Sequence, residues 1–168
     1  DERAQLERWR ATPAQATEAV TVADLFDEAV ARHPHETALV AGDLDRTFAD
    51  LASRVRRWAR LLVDHGVAPE TRVALVLPRT ADTIAAMLAV LVSGGAYVAL
   101  EPRTPTERLA TILDTAEPVV VLTTGELASS LPAVDAPVLA LDDEALAERV
   151  AGYDDAPLTD ADRLAPLR

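Results

Sequence analysis

The sequence predicts an α/β fold, a layered and largely parallel sheet with flanking helices, on three observations. Short β-rich apolar runs alternate with segments of helical period. Hydrophobic residues make up 49% of the 168 positions but aromatics only 4%, so the core has to be built from Ala, Val and Leu. The run TRVALVL (71–77) is apolar almost throughout, as expected of a strand covered on both faces. A chain of this length can bury a substantial core, and one domain or large subdomain is expected.

The first elements are marked by their caps. Thr21 and Asp24 have capping-box spacing, with Val20 and Leu25 placed as a hydrophobic staple, so a helix opens at 21 and runs to about His33, before Pro34. Residues 37–41 form a strand, Gly42-Asp43 a turn and 45–48 a partner strand, together a hairpin. Thr47 and Asp50 make a second capping box. Leu51, Val55, Trp58 and Leu62 then recur at helical spacing until Gly66 stops the helix. Arg54, Arg56, Arg57 and Arg60 occupy its other side and are expected to form a solvated face without function, in preference to an anion-binding patch.

Residues 71–77 are the expected central strand, ended by Pro78. In the next segment, TADTIAAMLAVLVSGG (80–95), Ile84, Met87, Leu88 and Leu91 share one helical face, and the glycines lie where a helix C-terminus favours them. A strand follows at 96–100. Thr104-Pro105-Thr106-Glu107 combines capping-box spacing with Pro at the first helical position, so Thr104 is the expected cap of a helix that ends before Pro118. Residues 118–124 and 137–141 read as strands, with short helices at 125–130 and 143–150. The repeating β-α order implies parallel crossovers and a layered sheet.

Composition removes several classes of function. A formal net charge of −12 opposes a phosphate backbone, so nucleic acid is not an expected partner. All sixteen basic residues are Arg. The absence of Cys excludes disulfides, zinc thiolates and thiol nucleophiles, and makes the cytoplasm the default compartment. The longest apolar run, 84–92, falls far short of the roughly 20 residues that span a bilayer, so no membrane association is expected. The chain opens on Asp1 with the charged, amphipathic DERAQLERWR, unlike a signal peptide, which suggests a piece of a longer polypeptide.

The sequence stretch most suggestive of nucleotide binding is LVSGGAYVALEPRTPTER (91–108). A phosphate cradle runs strand, glycine turn, helix, because phosphate is drawn to the free amides and positive dipole of a helix N-terminus. Gly94-Gly95 has the reverse order and reads as a helix stop that permits close helix–strand packing. Neither G-x-G-x-x-G nor G-x-x-x-x-G-K-[ST] occurs, and LTTGELASS (122–130), with one Gly and no cation, reads as a capped turn. His33 and His35 flank Pro34 in an exposed loop without metal-ligand spacing, and His65 stands at a helix C-terminus, where partial positive charge suits the dipole. Ser53, Ser93, Ser129 and Ser130 lack a nucleophile elbow. The pairs Asp142-Asp143 and Asp154-Asp155 read as caps and solvated turns. No catalytic, cofactor-binding or metal-ligating residue is therefore assigned.

Two of these stretches resemble a known family. RTFADLASRVRRWARLL (46–62) is similar to the first core motif of adenylation domains of nonribosomal peptide synthetases, with Thr47, Phe48, Asp50 and Leu51 matching. Residues 91–118 resemble the second core motif, with Leu91, Gly94, Ala96, Tyr97, Val98, Leu100, Pro102, Pro105, Glu107, Arg108 and Leu109 in place. The chain departs at Val92 and Ser93, where the family favours Lys/Arg-Ala, and at Ala99, where it favours Pro. Residues 6–34 resemble the segment joining a condensation domain to an adenylation domain, with Trp9 and Thr12 matching and Arg10 in place of Asn.

The resemblance implies a linker at 1–20, an N-terminal adenylation subdomain of the adenylate-forming fold at 21–152, and an acidic connecting segment at 153–168. DADRLAPLR (160–168) is similar to the stretch just ahead of the family's phosphate loop, so the expected fold is truncated before that loop. It implies that the complete domain uses ATP and Mg²⁺ to form an aminoacyl-AMP and loads the acyl group on a phosphopantetheine thiol of a neighbouring carrier domain. The expected partners are an upstream condensation domain, the rest of the adenylation domain and the carrier domain, with Trp9 packed against one of them. The segment itself is expected to be scaffold. Alternatives are a naturally truncated, non-catalytic platform for neighbouring domains and, disfavoured by the linker, a fragment of an acyl-CoA ligase.

Overall fold

The computed structural model describes residues 2, 3, 5, 6, 20–42 and 44–167. The linker positions Trp9, Arg10 and Thr12, and the turn residue Asp43, lie outside the described residues. The elements run α1 (Val22–Arg32), β1 (Thr37–Ala41), β2 (Leu44–Thr47), α2 (Phe48–Asp64), β3 (Arg72–Val76), α3 (Ala81–Ser93), β4 (Ala96–Leu100), α4 (Thr106–Ala116), β5 (Val120–Thr123), α5 (Gly125–Ala128), β6 (Val138–Ala140) and α6 (Glu144–Ala151). The predicted α/β architecture and element order are present. β1 and β2 pair antiparallel as the expected hairpin, and the other four strands form a wholly parallel sheet in the order β4-β3-β5-β6.

The apolar run of β3 is explained by its place in that sheet. Val73 lies opposite Tyr97 on one side and Val120 on the other, so both edges of the strand are hydrogen-bonded. Its side chains alternate between two cores. Val73, Leu75 and Leu77 join Val120, Leu122 and the apolar sides of α1, α2 and α3. Ala74 and Val76 join Val121, Leu100 and the α4 residues Leu109 and Leu113. Helices therefore cover both sheet faces, and only uniformly apolar strands suit that position.

Both early capping boxes form. The Thr21 hydroxyl accepts from the Asp24 amide at 3.1 Å, and the Thr47 hydroxyl accepts from the Asp50 amide at 3.1 Å. Thr47 also closes β2, so Phe48 begins the helix instead of ending the strand. Gly66 lies just beyond α2 at φ +85, the left-handed stop that its position implied.

Three local expectations are corrected. Val20 and Leu25 are each 54% exposed, so a staple between them buries little, and α1 turns Ala23, Phe26 and Val30 inward. Thr104 does not cap α4. Its amide closes a turn on the Glu101 carbonyl, Pro105 stays extended at ψ 139, and the Pro105 carbonyl receives the first helical bond from Leu109 at 2.9 Å. Pro105 is thus the cap and offers no side-chain acceptor. On α3 the inward face is Ala81, Ala85, Ala86, Ala89 and Val90, whereas Ile84 is 41% exposed and Met87, Leu88 and Leu91 are only partly buried. α2 and α3 share the most extensive contact between described elements, and small side chains let these helices approach.

Candidate functional site: the arginine face of α2

Helix α2 presents Leu51, Val55, Trp58 and Leu62 to the core, which leaves Ser53, Arg54, Arg56, Arg57 and Arg60 on the opposite side. The expectation of a solvated face is overturned there. Each guanidinium meets a carboxylate from another part of the fold: Arg56 meets Asp27 of α1 at 2.7 Å, Arg54 meets Asp82 of α3 at 2.9 Å, Arg57 meets Asp155 at 3.2 Å and Arg60 meets Asp162 at 2.9 Å. The side chains of Arg56 and Arg60 are only 13% and 16% exposed. Dispersed in sequence, these carboxylates converge because α1, α3 and the segment after α6 all pack along the same helix.

The segment 153–167 lies across this face as a strap. The Ser53 hydroxyl donates to Asp155 at 2.7 Å, and that bond, reinforced by Arg57, holds the Asp155 carboxyl below its usual range. Arg56 donates to the Asp155 carbonyl, and Arg60 donates to the carbonyls of Asp154 and Ala156. Asp162 accepts from the Thr159 amide, the Thr159 hydroxyl and Arg60, which together hold it far below the usual carboxylate range. Asp154 caps a turn, by accepting from the Ala156 amide, and Asp155, with a side chain 46% exposed, is in addition the ion-pair partner of Arg57. Arg163, with a side chain 6% exposed, donates through Nε to the Val92 carbonyl at 2.9 Å and so satisfies one of the carbonyls left over at the end of α3.

The strap leads to the Gly-Gly stretch. Gly94 caps α3 at φ +100, a left-handed conformation that favours glycine, and a Cβ there would meet Leu167 Cδ2 at 3.2 Å. A Cβ at Gly95 would lie 2.5 Å from Val67 Cγ1, so this glycine permits the close helix–strand approach. The Gly94 amide donates to the Leu91 carbonyl and the Gly95 amide to the Val90 carbonyl. Both donors are occupied at the negative end of the helix dipole, which does not suit a phosphate. Gly125 is no better placed: its amide donates to Asp142 at 2.7 Å, and the helix it opens has four residues, with Thr124 as its cap.

Most of the remaining candidate groups also have structural partners. His33 Nδ1 pairs with Glu36 at 2.9 Å, and no cluster of three metal-ligating side chains occurs among the described residues. His65 caps the C-terminus of α2 and meets Arg149 through Nε2 at 3.0 Å. Burial, followed by the positive Arg149, lowers its pKa against the smaller opposing effect of Asp64, which works against the positive charge expected at this helix end. The hydroxyls of Ser93, Ser129 and Ser130 donate to backbone carbonyls. Asp143 caps α6 as its pattern predicts. Among the described residues, no helix is long and apolar enough to cross a membrane.

A parallel sheet between two helical layers, with its helix-to-strand glycines bonded within the fold, defines a layered α/β domain. The chain belongs to the AMP-binding enzyme family, whose model matches residues 26–166. It is 36% identical over 149 residues to a dimodular nonribosomal peptide synthase of Bacillus subtilis (strain 168), a match covering 88% of this chain and 6% of that protein. It is 34% identical over 160 residues to novobiocin biosynthesis protein H of Streptomyces niveus, covering 93% of this chain and 26% of that one. The crystal structure of the nonribosomal peptide synthetase FmoA3 superposes with a TM-score of 0.78 at 30% identity, over 87% of this chain and 15% of that chain. The N-terminal subdomain of Klebsiella oxytoca NpsA shares the fold at a TM-score of 0.69 and 21% identity, over 83% of this chain and 34% of that one. The chain therefore corresponds to the N-terminal part of a nonribosomal peptide synthetase adenylation domain and spans a small share of its curated relatives' length.

Proposed function

We propose that this chain is a scaffold segment of an amino-acid-activating adenylation domain: it builds the sheet and helical layers and leaves nucleotide handling to other parts of the protein. The observation that carries this reading is the second-core-motif region, where a helix ends, a strand begins and both glycine amides are already bonded. On this reading the complete domain binds ATP and Mg²⁺, forms an aminoacyl-AMP and passes the acyl group to a phosphopantetheine thiol on a carrier domain. The sequence supplies no Lys to meet a triphosphate, and at Gly125, the glycine that follows a strand and opens a helix, the amide is already bonded to Asp142. No step is therefore assigned to the described residues, and no catalytic, cofactor or metal residue is proposed here.

The proposed organisation is a linker over residues 1–20, the N-terminal adenylation subdomain over 21–152 and an acidic connecting segment over 153–168. An upstream condensation domain, the rest of the adenylation domain and a carrier domain are the proposed partners. Amino-acid-dependent exchange of pyrophosphate into ATP tests the reading. Residues 1–168 should show none, and fusion to the remaining portion of a related adenylation domain should supply it. Measurable exchange by the 168-residue chain alone would sink the proposal.

A further inference from the structure

We propose that the outer half of the strap, residues 159–167, is a salt-sensitive latch that opens and closes over α2 and α3 while the α/β core stays folded. The two halves of the strap are attached differently. The inner half carries Leu158, 6% exposed and part of the main core, and Tyr153 packs partly against the same core. The outer half contains no helix or strand, and its Leu164 is 59% exposed. It is held mainly by charge, through Arg60 to Asp162 and through Arg163 to the Val92 carbonyl, with Leu167 as a partly buried contact beside Gly94.

Internal bonds make the outer half a unit. Asp162 gathers both polar groups of Thr159, while Asp160 accepts from Arg163 at 3.2 Å and from the Leu167 amide at 3.4 Å. Arg60 links the two halves, with Nε and Nη2 on inner-half carbonyls and Nη1 on Asp162. The guanidiniums of Arg60 and Arg163 are largely buried, but their carboxylate partners reach solvent, Asp162 at 32% and Asp160 at 59% exposure; salt acts on that solvent-facing charge and leaves apolar burial intact, so rising ionic strength loosens the outer half selectively. Closed, the latch seats Leu167 against Gly94 and directs the chain toward the α3–β4 junction. Open, it uncovers the guanidinium of Arg60 and the end of α3.

Limited trypsin digestion of the whole 168-residue chain, followed by intact mass, tests this directly, since the sequence has no Lys and every cut falls after Arg. The Arg163–Leu164 bond reports the latch and the Arg72–Val73 bond, in β3, reports the core. Rates are normalised to an unstructured peptide carrying one Arg at each salt concentration. Cleavage after Arg163 should rise at least about fivefold between about 0.05 and about 0.5 M sodium chloride with no rise after Arg72, because proteolysis tracks the open population. Asp162→Asn and Arg60→Ala should raise it at low salt and flatten the salt response. Arg54→Ala, whose partner Asp82 lies on α3 outside the strap, should leave it unchanged. A salt-independent rate after Arg163 in the wild type, or a rate that rises only with cleavage after Arg72, overturns the latch. Because the wild-type series decides by itself, the test holds even if a variant fails to fold.

Discussion

Helices α2 and α3 lie side by side, yet their sequences carry different amounts of information about packing. α2 has bulky apolar residues along one stripe and arginines along the other, so its inward face follows from spacing alone, and Leu51, Val55, Trp58 and Leu62 are all buried. α3 is apolar nearly all the way round, and its periodicity fits more than one face. The larger residues Ile84, Met87 and Leu88 suggest one face, but Ala81, Ala85, Ala86 and Ala89, together with Val90 and Val92, are buried, while Met87 and Leu88 pack only partly against the same core and Ile84 is exposed. Trp58 of α2 lines one narrow crevice together with Ala85 and Ala86, so the bulk at this contact is supplied by α2 and the small side chains by α3. Hydrophobic size marks the inside only where the partner surface leaves room for it.

The largest expected effect breaks this asymmetry from the α2 side. Trp58→Ala removes the filler against which the alanines pack and should cost about 3–5 kcal/mol, whereas Ile84→Ala on α3 should stay within about 1 kcal/mol of wild type. Guanidinium denaturation midpoints at constant slope provide the measurement. A costly Ile84→Ala would restore the face suggested by periodicity.

From the α3 side, Ala89 is fully buried, so Ala89→Leu overpacks the helix pair. The expected cost is about 1–3 kcal/mol, and the thermal midpoint should fall accordingly. A neutral or stabilising Ala89→Leu would mean that the interface has unfilled space and that close approach is not what selected alanine.

A smaller contrast concerns the caps. Thr47→Ala should cost about 1 kcal/mol by freeing the Asp50 amide, and Thr104→Ala should lie within about 0.5 kcal/mol of wild type because Pro105 is the cap. Equal losses in the two variants would contradict the observed start of α4.

The smallest effect is at the C-terminus of α2. The folded state lowers the pKa of His65, so its contribution is complete above the ordinary imidazole value and is lost as pH falls through that value toward the folded one. Wild type should therefore lose stability from about pH 7.5 to about pH 5.5 more steeply than His65→Gln. Parallel profiles for the two proteins would show that the Arg149 contact does not depend on the neutral ring.

The sequence by itself determined the element order, the parallel sheet, two of the three proposed threonine caps and the structural character of Gly94-Gly95. Each depends on chemistry within one or two turns of chain: a side chain reaching an amide three residues on, a glycine where φ turns positive, a run of apolar residues in a doubly covered strand. The family resemblance, carried by the same short stretches, is legible for that reason. Only tertiary structure decided the inward face of α3 and the partners of the arginines. Ser53 and Arg57 meet Asp155 across 102 and 98 positions, and Arg60 meets Asp162 across 102. Local spacing holds no trace of such pairs, because an exposed and a paired arginine look alike in sequence until packing brings a carboxylate to it.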